Sequence, residues 1–328
     1  MADPRIGVVG ATGAVGQVTL ALLAERGFGH VRAFASARSA GSTVSYGDAS
    51  LGVEEATVEA LGAGELDLCF FSVGTGPSSE LVPAAVEGGA VCVDKSSAFR
   101  LTDGVPLIVP EVNGERATAH EGIVANPNCS TVQLVCALAP LHEVAGLRSV
   151  RIATYQSASG AGVERMEQLR AQAPGDGDVF MDWEFDGDES DEESKLRAET
   201  RKVLELPDLP FSATCARVPV LIGHSQAVWV ETEEPLSPEQ AREALASSPA
   251  VRVTERPTAR EAAGGDEVLV GRIRKDTAGD GLALWIVCDN LRKGAALNAI
   301  QIAELLLAKQ ALAALLVSAP PRRGELTA

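Results

Sequence analysis

The sequence predicts an α/β chain in two parts: a doubly wound parallel sheet, then an α+β unit built on a mixed sheet. Three observations carry that prediction. Up to residue 125, short apolar runs alternate with helix-periodic segments, the pattern of parallel strands joined by crossover helices. A glycine-rich turn joins the first strand to the first helix. After the helix that starts at Cys129, alternating segments such as Ser149 to Gln156 look like strands of a second, mixed sheet. A length of 328 residues is enough for two domains, each with its own core.

In chain order, Arg5 to Gly10 reads as the first strand, and Ala11-Thr12-Gly13-Ala14-Val15-Gly16 turns into a helix from Gln17 to Arg26. Gly10 permits the tight turn and Gly13 lets a pyrophosphate approach the backbone. Gly16 allows close helix–strand packing, and the helix N-terminus attracts phosphate. This is the turn of a Rossmann-type dinucleotide domain, with a G-x-x-G-x-x-G spacing one residue longer than usual. An NAD-type domain carries Asp or Glu at the end of its second strand, here His30 to Ala35. Ser36-Ala37-Arg38-Ser39 stands there instead, and Arg38 can pair with the 2′-phosphate of NADP.

Leu66 to Ser72, the turn Val73-Gly74-Thr75-Gly76, a helix from Ser78 to Glu87 and the strand Ala90 to Asp94 continue the alternation. Lys95 to Arg100 lies beyond the end of a strand, the edge where such sheets bind ligands, which makes Arg100 a candidate anion ligand. Pro110 to Asn113 and Gly122 to Ala125 lead to the second part.

That part opens on Asn126-Pro127-Asn128-Cys129-Ser130-Thr131, a polar turn running into an apolar, helix-periodic segment. Pro127 disfavours helix at Asn126, and the small polar residues around Cys129 can cap the helix that starts there. A thiol at a helix N-terminus faces unpaired N–H groups and the positive end of the dipole, which predicts a thiolate nucleophile. The other cysteines, Cys69, Cys92, Cys136, Cys215 and Cys288, lie in apolar runs. No Cys-x-x-Cys pair or His at metal-ligand spacing is present, so neither a metal site nor a disulfide framework is expected, and a reducing cytosol fits.

Ser149 to Gln156 reads as a strand, followed by the small-residue turn Ser157 to Gly162, where backbone can approach a ligand. The Gly-, Asp- and Glu-rich stretch from Ala173 to Ser194 reads as a solvated, mobile loop. A helix follows from Glu192 to Val203, with Glu192 and Lys195 on one face, and Pro207-Asp208-Leu209-Pro210 breaks it. The strand-like Thr214 to Val220 carries Arg217 and leads to Gly223-His224-Ser225. His30, His120 and His142 sit in peripheral settings, so His224 is the leading general acid/base beside a nucleophilic cysteine. Gly271 to Arg274 and Leu282 to Cys288 continue the second sheet. Ala295 to Ala319 is interrupted by Asn298, Gln301, Glu304, Lys309 and Gln310, and reads as a buried helix returning to the first part, not a membrane span. Pro320 to Ala328 reads as a disordered tail.

Acidic residues number 45 against 28 basic ones, a formal charge of −17, which argues against nucleic acid or an anionic membrane as partner. Asp3 and Pro4 run straight into a strand, which leaves no room for a leader, and a cytoplasmic location is expected.

Over nearly its whole length the chain resembles the aspartate-β-semialdehyde dehydrogenase family. The resemblance is carried by Gly10 to Gly16, Ser96-Ser97-Ala98-Phe99-Arg100, Asn126 to Thr131, Gln156 with Ser159-Gly160-Ala161-Gly162, Arg217-Val218-Pro219-Val220 with Gly223-His224-Ser225, and Asp289-Asn290-Leu291-Arg292-Lys293-Gly294-Ala295-Ala296. It implies that Cys129 is the nucleophile, His224 the acid/base and Gln156 the residue that orients a thioester. Arg217 would bind the substrate α-carboxylate and Glu192 its ammonium, with neighbouring Glu193 the alternative. Arg100, Asn128 and Lys195 would hold the phosphate. NADP would meet Gly10, Thr12, Gly13, Ala14, Val15, Gly16, Ser36, Arg38, Ser39, Ser72, Gly160 and Asn290.

The same resemblance implies an NADP-binding domain over 1–127 completed by a helix over 295–328, and a catalytic and dimerisation domain over 128–294. It further implies a small-molecule substrate, aspartyl phosphate or aspartate semialdehyde, and a homodimer or tetramer. The stretch from Gly162 to Glu192 departs from the family pattern in being short and acidic. The alternatives are an N-acetyl-γ-glutamyl-phosphate reductase, with the same chemistry on an acylated substrate, and a catalytically silent relative with an assembly or regulatory role.

Overall fold

Strand β1 (Ile6–Val9) is four apolar residues, all buried, as expected of a strand covered on both faces of a parallel sheet. It lies inside a seven-stranded sheet in a computed structural model that describes residues 3–172 and 177–318, with side chains to residue 309. The predicted tail from Pro320 lies outside the described residues. The sheet is completed by β2 (Val31–Ala35), β3 (Thr43–Tyr46), β4 (Ala49–Glu55), β5 (Leu68–Phe71), β6 (Val91–Asp94) and β7 (Ile123–Ala125). Their order is β3-β4-β2-β1-β5-β6-β7, parallel throughout except for the β3–β4 hairpin at one edge. The predicted doubly wound sheet is present. Its order reverses between β1 and β5, the crevice where open α/β sheets bind ligands. The edge hairpin was not foreseen because its residues are mostly exposed and carry no clean apolar alternation.

The helix after the glycine turn begins at Ala14, not at Gln17, and runs to Glu25. Glycine is required at two places in the turn. Gly10 adopts φ +86°, and a Cβ there would lie 2.4 Å from the Ser72 carbonyl oxygen. A Cβ on Gly16 would lie 2.1 Å from the Gly10 carbonyl oxygen, so helix and strand meet backbone to backbone.

The second sheet is mixed. It contains β8 (Leu147–Gln156), β11 (Phe211–Arg217), β12 (His224–Thr232), β13 (Val251–Val253), β14 (Val268–Lys275) and β15 (Leu282–Cys288), in the order β11-β8-β12-β15-β14-β13. The pairs β11–β8 and β13–β14 are parallel and the rest antiparallel. The helix Cys129–Ala145 lies on this sheet, packing Val132, Leu134, Val135, Leu138 and Leu141 into one core with Val150, Ile152, Val228, Leu284 and Ile286. The helix Asp191–Leu204 covers its side with Leu196 and Val203.

The acidic stretch departs from the expected solvated loop. Residues 173–176 lie outside the described residues, but Phe180 exchanges both backbone hydrogen bonds with Arg217, and a two-residue hairpin, β9 (Phe185–Asp186) with β10 (Glu189–Ser190), leads into the next helix. The cation face of Arg165 on the Phe180 ring and that of Arg217 on the Trp183 ring hold the segment down, an apolar contribution hidden within an acidic composition.

The chain crosses between the sheets twice, at Asn126–Asn128 and through the turn of π-helix Arg292–Ala296. Asn298 joins the crossings, donating from Nδ2 to Asn126 Oδ1 at 2.8 Å and to the Ile108 carbonyl at 3.0 Å. The helix Leu297–Ser318 then returns to the first sheet, where Leu297, Ile300, Ala303 and Leu306 pack with Ile6, Leu20, Leu23 and Val93. Among the described residues no helix is long and apolar enough to cross a membrane.

Candidate active site

Cys129 is the first residue of its helix. Asn128 is the cap, its Oδ1 accepting from the Ser130 N–H at 2.7 Å. The other five cysteines are buried, whereas Cys129 keeps surface toward a cavity of about 160 Å³. Lys95, Arg100 and Asn128 line that cavity from one part of the chain, Gly160 and Asn290 from another, and Val15 from the first turn of the glycine-turn helix. The dinucleotide turn and the thiol therefore share one cavity.

The thiolate predicted from the helix position is corrected by the surroundings. Burial pushes the Cys129 thiol up to about 11, the Glu192 carboxylate adds to the rise, and Lys95, Arg100 and Arg217 oppose it. Desolvation and one carboxylate outweigh the cations, and the resting sulfur is a thiol at neutral pH.

The helix Asp191–Leu204 supplies the carboxylates. Glu192 accepts from Asn128 Nδ2 at 3.1 Å and from Gln156 Nε2 at 2.8 Å, and burial raises its pKa. Glu193 faces away, caps its own helix through Ser190 and accepts from the Cys215 N–H. Glu199, seven residues on from Glu192, is 1% exposed and holds three groups: Arg100 Nη1 at 2.8 Å, the Asn128 N–H at 2.7 Å and Thr131 Oγ1 at 3.0 Å. Arg100 is held further by the Asn126 and Lys95 carbonyls. Arg217 pairs with Asp182 at 3.0 Å and donates to the Ser157 carbonyl. Lys195 is not brought to the cavity; it pairs with Asp191 at 2.5 Å and is a third exposed.

His224 is fully buried. The Ser157 N–H donates to its Nδ1 at 3.0 Å, so the neutral ring carries its proton on Nε2, and that atom has no partner among the described residues. A Cβ on Gly160 would lie 3.0 Å from His224 Nε2 and 3.1 Å from Arg217 Nη1, so this glycine leaves room for a ligand between the two. Burial, with Arg217 adding, depresses the imidazole pKa to about 3. Asn290 fixes the neighbourhood, its Oδ1 accepting from Ser157, Ser159 and the Gly223 N–H, each at 3.0 Å.

Ala35, Ser36 and Ala37 line a second cavity of about 640 Å³ at the carboxyl ends of the strands, with Val9, Thr57 and Val73. Arg38 stands exposed beside it with no ion pair among the described residues, and Ser39 closes a turn onto the Ser36 carbonyl. The Thr12 carbonyl accepts from Gln17. Glycine backbone that a Cβ would fill, a helix N-terminus and an unpaired guanidinium fit a dinucleotide bearing a 2′-phosphate.

Four participants were not singled out from sequence. Glu199 repeats the helical spacing of Glu192 over two turns, a signal that could have found it. Lys95 sits in the same post-strand segment as Arg100. Asp182 lay inside the stretch read as loop. Ser157, in the small-residue turn, left no chemical signature.

Two family models match the chain: semialdehyde dehydrogenase, NAD binding domain, over residues 5–120, and semialdehyde dehydrogenase, dimerisation domain, over 178–293. Aspartate-semialdehyde dehydrogenase of Aquifex aeolicus is 41% identical over 92% of this chain and 98% of its own length. That of Corynebacterium glutamicum is 43% identical over 92% and 99%. The crystal structure of aspartate semialdehyde dehydrogenase II from Vibrio cholerae superposes with a TM-score of 0.89 at 37% identity, covering 93% of this chain and 99% of that one. A Candida albicans aspartate semialdehyde dehydrogenase solved with NADP superposes at 0.75 with 27% identity, covering 94% and 99%. With family models at both ends and relatives matched along nearly its full length, the chain belongs to the aspartate-semialdehyde dehydrogenase family.

Proposed function

We propose that this protein is an NADP-dependent, phosphorylating aspartate-semialdehyde dehydrogenase that reduces L-4-aspartyl phosphate to L-aspartate 4-semialdehyde, a step of amino-acid biosynthesis. The observation that carries the reading is the single cavity shared by Cys129 and Val15, which sets a nucleophile against the dinucleotide turn. Bound in the first part of the chain, NADPH supplies a hydride. All other tasks fall to side chains.

Cys129 attacks the acyl phosphate at its carbonyl carbon. The C–S bond forms, the C–O bond to phosphate breaks, and the thiol proton leaves with the phosphate as hydrogen phosphate. Loss of that proton is hard for a resting thiol and becomes easier when the substrate ammonium neutralises Glu192, the carboxylate that helps keep the sulfur protonated. Gln156 and Asn128 hold Glu192 in place and orient the acyl group. Arg217 exchanges Asp182 for the substrate α-carboxylate. Arg100 and Asn128 face the phosphate, and Lys195 joins them on leaving Asp191. His224 presents Nε2–H to the acyl oxygen as charge develops there and, as the acid/base, supplies a proton when the C–S bond breaks, so that the aldehyde leaves and the Cys129 thiol is restored. Arg38, Ser36 and Ser39 take the adenosine end of NADP, and Thr12, Ala14, Ser72, Gly160 and Asn290 the remainder.

To this belong the domain division given above, a homodimer or tetramer assembled through the second part, and a cytoplasmic location. The test is phosphate-dependent reduction of NADP⁺ by the purified protein, with aspartate semialdehyde and N-acetylglutamate semialdehyde offered in parallel. Turnover confined to the first aldehyde and lost without phosphate is expected. Turnover with the acylated aldehyde alone would overturn the substrate, and none with either would favour the silent relative.

A further inference from the structure

We propose that Lys95 is a catalytic residue of this reaction: its ammonium is the uncompensated positive charge that the Cys129 cavity offers to the phosphate. The inference rests on the function proposed above and adds a residue to it.

Among the described residues, the cations acting on Cys129 are Lys95, Arg100 and Arg217, with Lys195 farther out beside Glu192; three of these four are already matched by carboxylates: Arg100 by Glu199 at 2.8 Å, Arg217 by Asp182 at 3.0 Å and Lys195 by Asp191 at 2.5 Å. Two charges have no opposite partner within hydrogen-bond reach among the described residues. One is Glu192, held only by the neutral amides of Asn128 and Gln156. The other is Lys95, whose Nζ makes no hydrogen bond and no ion pair while its side chain lines the cavity. The preceding residue, Asp94, does not serve it, since Asp94 spends both oxygens on Ser78 and Ser96. A substrate with an ammonium at one end and a phosphate at the other brings one opposite charge for each.

The backbone of Lys95 is fixed for the task. Its N–H donates to the Phe71 carbonyl at 3.1 Å, extending β6, and its carbonyl accepts from Arg100 Nη2 at 2.5 Å. Arg100 thereby fixes the Lys95 backbone while its own charge is shared with Glu199. Burial lowers the Lys95 pKa, with Arg100 adding and Cys129 and Asp94 opposing. A desolvated cation gains more from meeting an anion than a hydrated one does. When the C–O bond breaks, the electron pair goes to the phosphate oxygen, and Lys95 meets the charge that develops there. In reverse, the same ammonium holds inorganic phosphate as its oxygen attacks the thioester carbonyl and the Cys129 sulfur departs.

The experiment follows NADP⁺ reduction with aspartate semialdehyde over a range of inorganic phosphate for wild type, Lys95→Met and Lys95→Arg, each first checked for folding by circular dichroism. Removing a charge-assisted contact predicts a phosphate KM raised about 10- to 100-fold in Lys95→Met, aldehyde KM within about twofold, and partial recovery in Lys95→Arg. A phosphate KM within about threefold of wild type in Lys95→Met would overturn the proposal. So would a loss confined to kcat with a shifted pH profile for Cys129 alkylation, because Lys95 would then act on the sulfur. Wild-type turnover that ignores phosphate would sink the proposed function and Lys95 together, a result separable from failure of the variants alone.

Discussion

At the scale of the residue, the two reacting groups are held in their neutral forms. Cys129→Ala is expected to abolish turnover, measured as NADP⁺ reduction, whereas His224→Asn leaves activity reduced roughly 10²–10⁴-fold. The thiol has a titration of its own. Because Glu192 helps hold it near 11, Glu192→Gln should move the midpoint of iodoacetamide alkylation at Cys129 to lower pH. An unmoved midpoint would count against Glu192 as a neighbour of the sulfur. The imidazole adds a stability effect of definite sign. Its folded pKa of about 3 lies below the ordinary 6.5, so its contribution is whole above 6.5 and is lost as pH falls from 6.5 toward 3. For one proton the slope is about 1.4 kcal/mol per pH unit. Urea unfolding at about pH 7.5 and about pH 5 should show wild type losing more stability on acidification than His224→Gln, and equal losses would argue that the ring is protonated in the fold.

At the scale of the element, the helix Asp191–Leu204 does more than its sequence suggests. Its inner face carries Glu192, Leu196, Glu199 and Val203, two carboxylates and two apolar residues on one stripe. Glu199 ties that helix to the N-terminus of the nucleophile helix and to Arg100. Glu199→Ala leaves Arg100 buried without its carboxylate and should cost about 3–5 kcal/mol in urea unfolding. A loss below about 1 kcal/mol would mean that water or another carboxylate replaces it. In the first sheet, Gly16→Ala places a Cβ against the Gly10 carbonyl and should weaken NADPH binding at least about tenfold in a fluorescence titration. Elements with strong periodicity or special backbone geometry were legible in the sequence: the strand–turn–helix around Gly10 and Gly16, the nucleophile helix behind Pro127, and the strand Leu282–Cys288. Others were not. The β3–β4 hairpin is half polar at a sheet edge, and the pairing of Phe180 with Arg217 joins residues whose neighbours look solvated. Charge pairing across the site was equally hidden, since Asp182 and Arg217 are distant in sequence and meet only in the fold.

At the scale of the whole molecule, a formal charge of −17 meets substrates that are themselves anionic. Long-range repulsion is screened as the Debye length falls from about 30 Å at 0.01 M to about 8 Å at 0.15 M ionic strength. The value of kcat/KM is therefore expected to rise over that range, and a fall would reveal a cationic field around the cavity mouth strong enough to override the net charge. The two crossings between the sheets, stapled by Asn126 and Asn298, also bear on how the molecule can flex. Both segments pass beside Cys129, and a Cβ on Gly294 would lie 3.1 Å from the Cys129 Cβ. Arg100 with Glu199, and Lys202 with the Arg100, Thr102 and Val105 carbonyls, bind the helix Asp191–Leu204 to the first part as well, so the surroundings of the sulfur are secured by covalent joints and a polar clasp together.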